Sequence, residues 1–427
     1  MPDYLFLMES RLHPEQWRIV LQVQEAAEEL GMNLYLVGGV VRDLIGGFPL
    51  EDLDFVVEGK ALKLVRQLTR RQARVVWKSD GLQEAELEFP HGILSSVSMA
   101  RAGNGSRKSR SRARPGSILD DLRRRDFSIN AIGISLNPNS RGLLLDPTNG
   151  VADMEKKQLR ALQPNGFLHD PVRLLRGTRF RTRMQYEFES KTAAQFQEAK
   201  DTKLLEKIAP EDLQKEFRRI GRDYAPVEIL KALQKEGLLA ALHPKLQGPR
   251  LDWATMNRAA KAGQMLAIAG LPVRSLPPFL HQLTHKLSPR DRSAAVKRLR
   301  LEPQDSEDFR KLPAAAKRLA KNVSGELGST PMNLYQLLAA ARPELILLVL
   351  ITYREPKILA RVRNYCQKYL PMRSKLPDTE LKALGIAVGT PRYERIREQF
   401  FQAMLDRKVR TRSDYTKLLK KLVQAGK

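Results

Sequence analysis

The chain has 427 residues, with 74 Lys+Arg against 48 Asp+Glu, a formal net charge of +26. That length suits roughly two to four domains, and a hydrophobic share of 42% excludes wholesale disorder. One cysteine, Cys366, excludes a disulfide framework and a Cys-rich zinc site.

No apolar run reaches the roughly 18 residues that span a bilayer; the best, Leu345 to Thr352, is far too short. Met1-Pro2-Asp3 opens no basic segment followed by an apolar one, so no signal peptide and no membrane partner are expected. The expectation is a cytoplasmic protein whose positive charge meets a polyanion, most often nucleic acid. The charge is uneven: residues 1–100 carry −5, residues 101–150 carry +6 and residues 151–427 carry +25. Carboxylate chemistry in front and polyanion binding behind would explain that division.

In chain order, His13 to Leu30 has Trp17, Val20, Leu21 and Val23 at helical spacing, with Gly31 as a stop. Leu34 to Val37 reads as a short buried strand broken by Gly38-Gly39, and Val40 to Ile45 as a short helix ending at Gly46-Gly47. Asp52 to Val57 is strand-like and Ala61 to Arg71 helical. Val75 to Lys78, Glu84 to Phe89 and Ile93 to Met99 read as further strands, the last two a hairpin across Pro90-His91-Gly92. Arg101 to Gly116, rich in Gly, Ser and basic residues, reads as a loop. Order returns over Leu119 to Leu136, and the first domain closes near Leu159-Arg160. Beyond it Pro171 to Arg183, Lys191 to Glu198, Pro210 to Arg222 and Pro226 to Glu236 begin a helical series without strands or a fixed repeat. The pattern is an α+β head followed by an all-helical remainder.

The most informative stretch runs from Leu36 to Asp43 and from Glu51 to Val57. On a strand, Asp52 and Asp54 point to the same face. Two carboxylates held that close repel unless a cation lies between them, and hard oxygens on one face suit Mg²⁺ with substrate phosphates as further ligands. Gly38-Gly39, between strand and helix, lets the backbone approach a triphosphate that Arg42 is placed to neutralise.

With these residues the chain resembles the class II tRNA nucleotidyltransferase (CCA-adding enzyme) and bacterial poly(A) polymerase family, within the superfamily shared with DNA polymerase β. The resemblance is carried by Leu36 to Asp43, by Asp52-Leu53-Asp54 and by Asp121 to Ala131. It continues through Asp146-Pro147, Gly150 and Asp153, then Asp170 to Arg176 with Arg179-Phe180, and returns more loosely at Asp378 to Ile386 and Gly389 to Ile396.

The resemblance implies a polymerase β-like, mixed-sheet nucleotidyltransferase head over residues 1–162. A helical neck with a nucleotide-selecting helix follows over 163–240, and an RNA-binding body and tail over 241–427. It implies two Mg²⁺ ions on Asp52 and Asp54, CTP and ATP as substrates, and the 3′ end of tRNA or another RNA as acceptor. Gly38, Gly39, Arg42, Arg125, Asp126, Asn130, Asp170, Arg173, Arg176 and Arg179 would bind the nucleotide. Arg125 would meet phosphate and Asp126 ribose. Asp170 and Arg173, three apart on a helix, would read C or A, since mismatched polar groups left buried give large discrimination.

Three residues or segments depart from the family pattern. Ser96 stands where a third carboxylate is expected, with Glu86 or Glu88 as candidate substitutes. His169 replaces a glutamate before Asp170, and Gly103 to Arg114 is an unusually basic loop. His281 and His285, four apart, lack the partners of a metal site and read as ordinary helix residues. The expected activity is addition of CMP and/or AMP to tRNA 3′ ends. The alternatives are poly(A) polymerase, CC-only or A-only addition and, from Ser96 and His169, a non-catalytic RNA-binding protein.

Overall fold

The computed structural model describes residues 3–50, 52–103, 114–202, 204–273 and 275–424. Of the basic loop from Gly103 to Arg114, residues 104–113 lie outside the described residues. The chain divides into two compact units, Met1–Ala209 and Pro210–Lys427.

The first unit opens with α1 (Tyr4–Arg11), which the sequence reading did not anticipate. Asp3 caps it by accepting from the Leu5 and Phe6 amides. Helix α2 (Pro14–Glu29) starts on a capping box between His13 and Gln16 with Pro14 in its first turn. Then follow β1 (Asn33–Val37), α3 (Gly39–Gly46), β2 (Leu53–Glu58), α4 (Ala61–Arg70), β3 (Arg74–Ser79), β4 (Glu84–Phe89) and β5 (Ile93–Met99). Next come α5 (Ile118–Arg123), a 3₁₀ turn over Ser128–Asn130, β6 (Gly133–Ser135), β7 (Leu144–Leu145) and α6 (Gly150–Glu155). The unit closes with β8 (Gln158–Leu159), α7 (Gly166–His169), α8 (Val172–Met184), β9 (Glu187–Phe188) and α9 (Ser190–Lys200).

Seven strands form one mixed sheet in the order β3-β4-β5-β2-β1-β6-β7. Strands β2 and β5 pair in parallel and the other neighbours antiparallel. Burial alternates along β4 and β5, as a sheet with one covered face requires. Leu53, Phe55, Val57, Ala85, Leu87, Phe89, Val97 and Met99 form the covered face. The amphipathic helix α4 packs there through buried Ala61, Leu64, Val65 and Leu68. Burying a side chain such as Phe55 contributes about 1.5–3 kcal/mol, so this face anchors the sheet. The opposite face is partly covered by a smaller cluster of Tyr35, Val37, Val56, Ile118 and Leu122. The rest of that face holds the polar row of Asp54, Ser96 and Glu86.

Two strand expectations need correction. Asp52 lies just before β2, not within it. The stretch expected to be purely helical contributes β9, which pairs in parallel with β8 as a two-residue bridge. Two residues are too few for a period-2 signal.

The second unit is helical. One core gathers Leu266, Leu319, Val323, Ile346, Val349, Ile358, Val362 and Tyr365. The other gathers Leu381, Ile396, Phe400, Phe401 and Leu405. The apolar run at Leu345 to Thr352 belongs to helix Pro343–Thr352, whose Ile346, Leu347, Leu348, Val349 and Ile351 are buried in the first of these cores. Among the described residues no single helix is long and apolar enough to cross a membrane. His281 stacks on Phe309 at 4.0 Å, and burial pushes its pKa down to about 4. Cys366 is buried, and burial pushes its thiol up to about 11, the opposite of what a nucleophilic cysteine needs.

Candidate active site

The site is built where β1 runs into α3. Gly38 has φ +72° and ψ −128°, a backbone region open essentially to glycine alone. A Cβ there would stand 2.6 Å from Arg125 Nη1 and 3.8 Å from Asp54 Oδ2. At Gly39 the corresponding point is 3.6 Å from Arg42 Nη2 and 4.0 Å from Asp54 Oδ2. The turn therefore brings the open N-terminus of α3, two guanidinium groups and a carboxylate together. Unpaired amides at a helix start favour anions, and close backbone approach is what a phosphate chain requires.

Asp54 lies on β2, half-buried, and Asp52 is exposed two residues earlier. Parallel pairing puts Asp54 opposite Ser96 of β5, and antiparallel pairing puts Ser96 opposite Glu86 of β4. The Ser96 hydroxyl donates to Asp54 Oδ1 at 2.6 Å. Of the two candidate substitutes for a third carboxylate, Glu88 binds Arg74 of the edge strand, whereas Glu86 shares the register row of Ser96. Among the described residues no group of three or more acid, His or Cys side chains is gathered as a metal site. What the donor set offers is the hard Asp54 carboxylate beside the glycine turn, with the exposed Asp52 two residues earlier. That suits an Mg²⁺ ion taking its remaining ligands from substrate and water.

A continuous polar network surrounds the turn. Arg42, 3% exposed, donates Nε and Nη2 to the two oxygens of Asp43 at 2.8 and 2.9 Å, and Nη1 to Asn130 Oδ1 at 2.7 Å. Asn130 Nδ2 in turn donates to Asp126 Oδ1 at 3.0 Å. Asp126 also accepts from the Phe127 amide at 2.9 Å and from Arg176 Nη1 at 2.6 Å. Burial alone would raise the Asp126 carboxyl, but Arg176 and Arg173, with the Asn130 amide, hold it well below the usual carboxylate range. Arg125 donates to Asp121 Oδ2 at 3.1 Å and to the Asn130 carbonyl at 3.2 Å, which fixes its head beside Gly38.

Helix α8 supplies the rest. Asp170, preceding its Pro171 cap, and Arg173 are both buried and form an ion pair at 3.5 Å. Arg173 lies over Gly166, its Nη1 2.9 Å from where a Cβ would be. Arg179 and Arg42 both lie over the Phe180 ring, at 4.5 and 4.7 Å from its centroid. His169 ends α7 in an exposed position.

The structure thus joins Gly38, Gly39, Arg42, Asp54 and Arg125 at the turn, links Asn130, Asp126 and Arg176 away from it, and sets Arg173, paired with Asp170, in the field of Asp126. Three residues of the network were missed by sequence reasoning. Asp43 accepts from Arg42 and also from Arg183 Nη1, at 3.2 and 2.9 Å. Arg183 additionally donates to the Pro49 carbonyl at 3.3 Å, and Asp121 orients Arg125. Adjacency of Arg42 and Asp43 was a visible signal; a partner 140 residues away was not.

Residues 34–160 match the family model of the poly A polymerase head domain. An A-adding tRNA nucleotidyltransferase of Halalkalibacterium halodurans is 36% identical over 53% of this chain and 54% of its own length. A multifunctional CCA protein of Xanthomonas campestris is 34% identical over 50% of this chain and 52% of its own. The chain spans about half the length of the curated relatives it matches. A solved structure described as a tRNA-processing enzyme in apo form superposes with a TM-score of 0.54 at 25% identity, covering 92% of this chain and 98% of that one.

Proposed function

We propose that this chain, whose residues 34–160 are a poly A polymerase head domain, transfers CMP and/or AMP from CTP and ATP to the 3′ end of tRNA in the cytoplasm. The observation that carries this reading is the Gly38-Gly39 turn, which has Asp54, Arg125 and Arg42 all within 4 Å of its missing side chains. In this reading residues 1–162 are the catalytic head, 163–240 the neck with the selecting helix and 241–427 the RNA-holding body and tail.

Asp52 and Asp54 would hold Mg²⁺, which when bound acidifies a 3′-hydroxyl and neutralises departing pyrophosphate. The turn and Arg125 cradle the triphosphate. Arg42 acts from behind it, fixed by Asp43 and Asn130, and its buried charge offsets the phosphates. Asp126, kept ionised by its arginines, accepts from the ribose 2′-hydroxyl, which favours ribonucleotides. Asp170 and Arg173 read the base: a carboxylate accepts from the exocyclic amine of C or A, and a guanidinium donates to the neighbouring ring acceptor. Arg176 and Arg179 hold that helix face in place. The +25 of residues 151–427 would grip the RNA by its phosphates, with strong salt dependence.

The name of the 36%-identical relative favours a narrower second reading, addition of the terminal A alone. One assay separates the readings. The purified chain is given tRNA ending before CCA, tRNA ending in CC and an unrelated oligoribonucleotide, each with CTP or ATP and Mg²⁺. Incorporation of C and then A supports the first reading, and A on the CC end alone supports the second. Long A tails on the unrelated RNA would replace both with poly(A) synthesis, and no incorporation anywhere would leave only RNA binding.

A further inference from the structure

We propose that Ser96 is a positioning residue for Asp54, its hydroxyl holding one carboxylate oxygen so that the other is presented to the triphosphate turn. This rests on the reading of Asp52 and Asp54 as the metal-holding pair. The parallel neighbours β2 and β5 set Asp54 opposite Ser96, and the Ser96 hydroxyl donates to Oδ1 at 2.6 Å. The other oxygen, Oδ2, is the one that lies 3.8 and 4.0 Å from the Cβ positions of Gly38 and Gly39. The two oxygens are thereby given different tasks.

Glu86 does not duplicate this task. It stands one strand further out, opposite Ser96, with its backbone roughly 10 Å from that of Asp54 at ordinary strand spacing. Oxygens that share one octahedral Mg²⁺ lie about 3 to 4 Å apart. A neutral hydroxyl also differs in kind from a third acid. It fixes the rotamer of Asp54 without adding a further negative charge beside Asp52 and Asp54. In this chain orientation replaces charge.

Ser96→Val and Ser96→Thr have the same shape and differ by the hydroxyl, and both suit a central strand. Two quantities are measured on each: steady-state transfer, and Mn²⁺ binding by electron paramagnetic resonance with a non-hydrolysable ATP analogue and no RNA. Losing a hydrogen bond to a charged group predicts a fall in kcat of about 10- to 100-fold for Ser96→Val, with KM for ATP little changed. Weaker Mn²⁺ binding and a higher Mg²⁺ midpoint accompany it, and Ser96→Thr restores all three. Equal behaviour of the two variants, whether both active or both impaired, overturns the proposal. Asp54→Asn, measured alongside, must lose Mn²⁺ binding. If it binds Mn²⁺ as before, the reading of the aspartate pair falls and Ser96 with it. If it fails to bind while Ser96→Val matches the parent, only the role of Ser96 falls.

Discussion

Between Met1 and Ala209, Arg42, Asp43, Asp126, Asp170, Arg173, Arg179 and Arg183 are each less than one-tenth exposed. From Pro210 onward Glu216 and Asp223 are the buried charges among the described residues, and several ion pairs lie at the surface. Lys245–Asp291, Arg342–Asp308 and Lys311–Glu307 each include a side chain that is half exposed or close to it. Taking charges out of water costs several kcal/mol per ion, so a unit that buries these seven does so against its own stability. The second unit relies on its two apolar cores. Buried charge gathers at the candidate site of the first unit, and surface ion pairs are spread over the second.

Substitutions can break that contrast, and the expected effects fall in order. The largest is on transfer. Asp52→Ala or Asp54→Ala should abolish nucleotide incorporation while a filter-binding assay shows tRNA affinity largely intact; measurable turnover in either variant would remove the metal assignment. Gly38→Ala comes next. A Cβ there meets Arg125 at a backbone angle that side chains avoid, so KM for ATP and CTP should rise sharply, with the tRNA Kd unchanged.

Stability follows. Asp43→Asn leaves Arg42 and Arg183 buried without their shared counter-charge, a loss of about 3–5 kcal/mol readable by urea denaturation of the first unfolding transition. Lys311→Ala, which breaks an exposed pair on one helix face, should leave the melting profile unchanged within error. Asp126 adds a pH dependence. Its folded carboxyl titrates below the ordinary value, so its contribution is full above about pH 4. It is lost as pH falls further, through the folded value. The Tm gap between the parent and Asp126→Asn should therefore be constant near neutrality and close in acid. A gap that widens in acid would reverse the assignment. The mildest effect is on choice: Arg173→Ala should relax discrimination among the four nucleotides, scored as the ratio of their kcat/KM values.

Much of the head was legible in the sequence because its elements have clean periods and hard stops. Amphipathic spacing with a Gly stop marked α2, alternation marked β4 and β5, and the paired glycines marked the start of α3. The same-face expectations for Asp52 with Asp54 and for Asp170 with Arg173 fail, because Asp52 precedes β2 and Asp170 precedes α8 in a non-helical conformation, although Asp170 and Arg173 still meet as an ion pair. What stayed hidden has one physical cause, long-range pairing. The 2.6 Å bond from Ser96 to Asp54 depends on a parallel register between strands separated by α4, β3 and β4. The engagement of Arg42 by Asn130, and of Asp43 by Arg183, depends on how turns and helices dock. Helix α1 escaped because eight residues with a weak apolar face carry little signal, and β9 because two residues carry none.

The Asp43–Arg183 clasp joins residues 140 positions apart, and that separation has a consequence during synthesis. A chain emerging from the ribosome N-terminus first can pair β1 with β2 early, yet the docking of α8 must wait until Arg183 has left the exit tunnel. Until then the Arg42–Asp43 pair lacks its second cation and α8 has no anchor. Domains fold as units once their last essential residue is available, so the first unit becomes competent late. A half-made chain of this kind has a sheet but an unclasped turn.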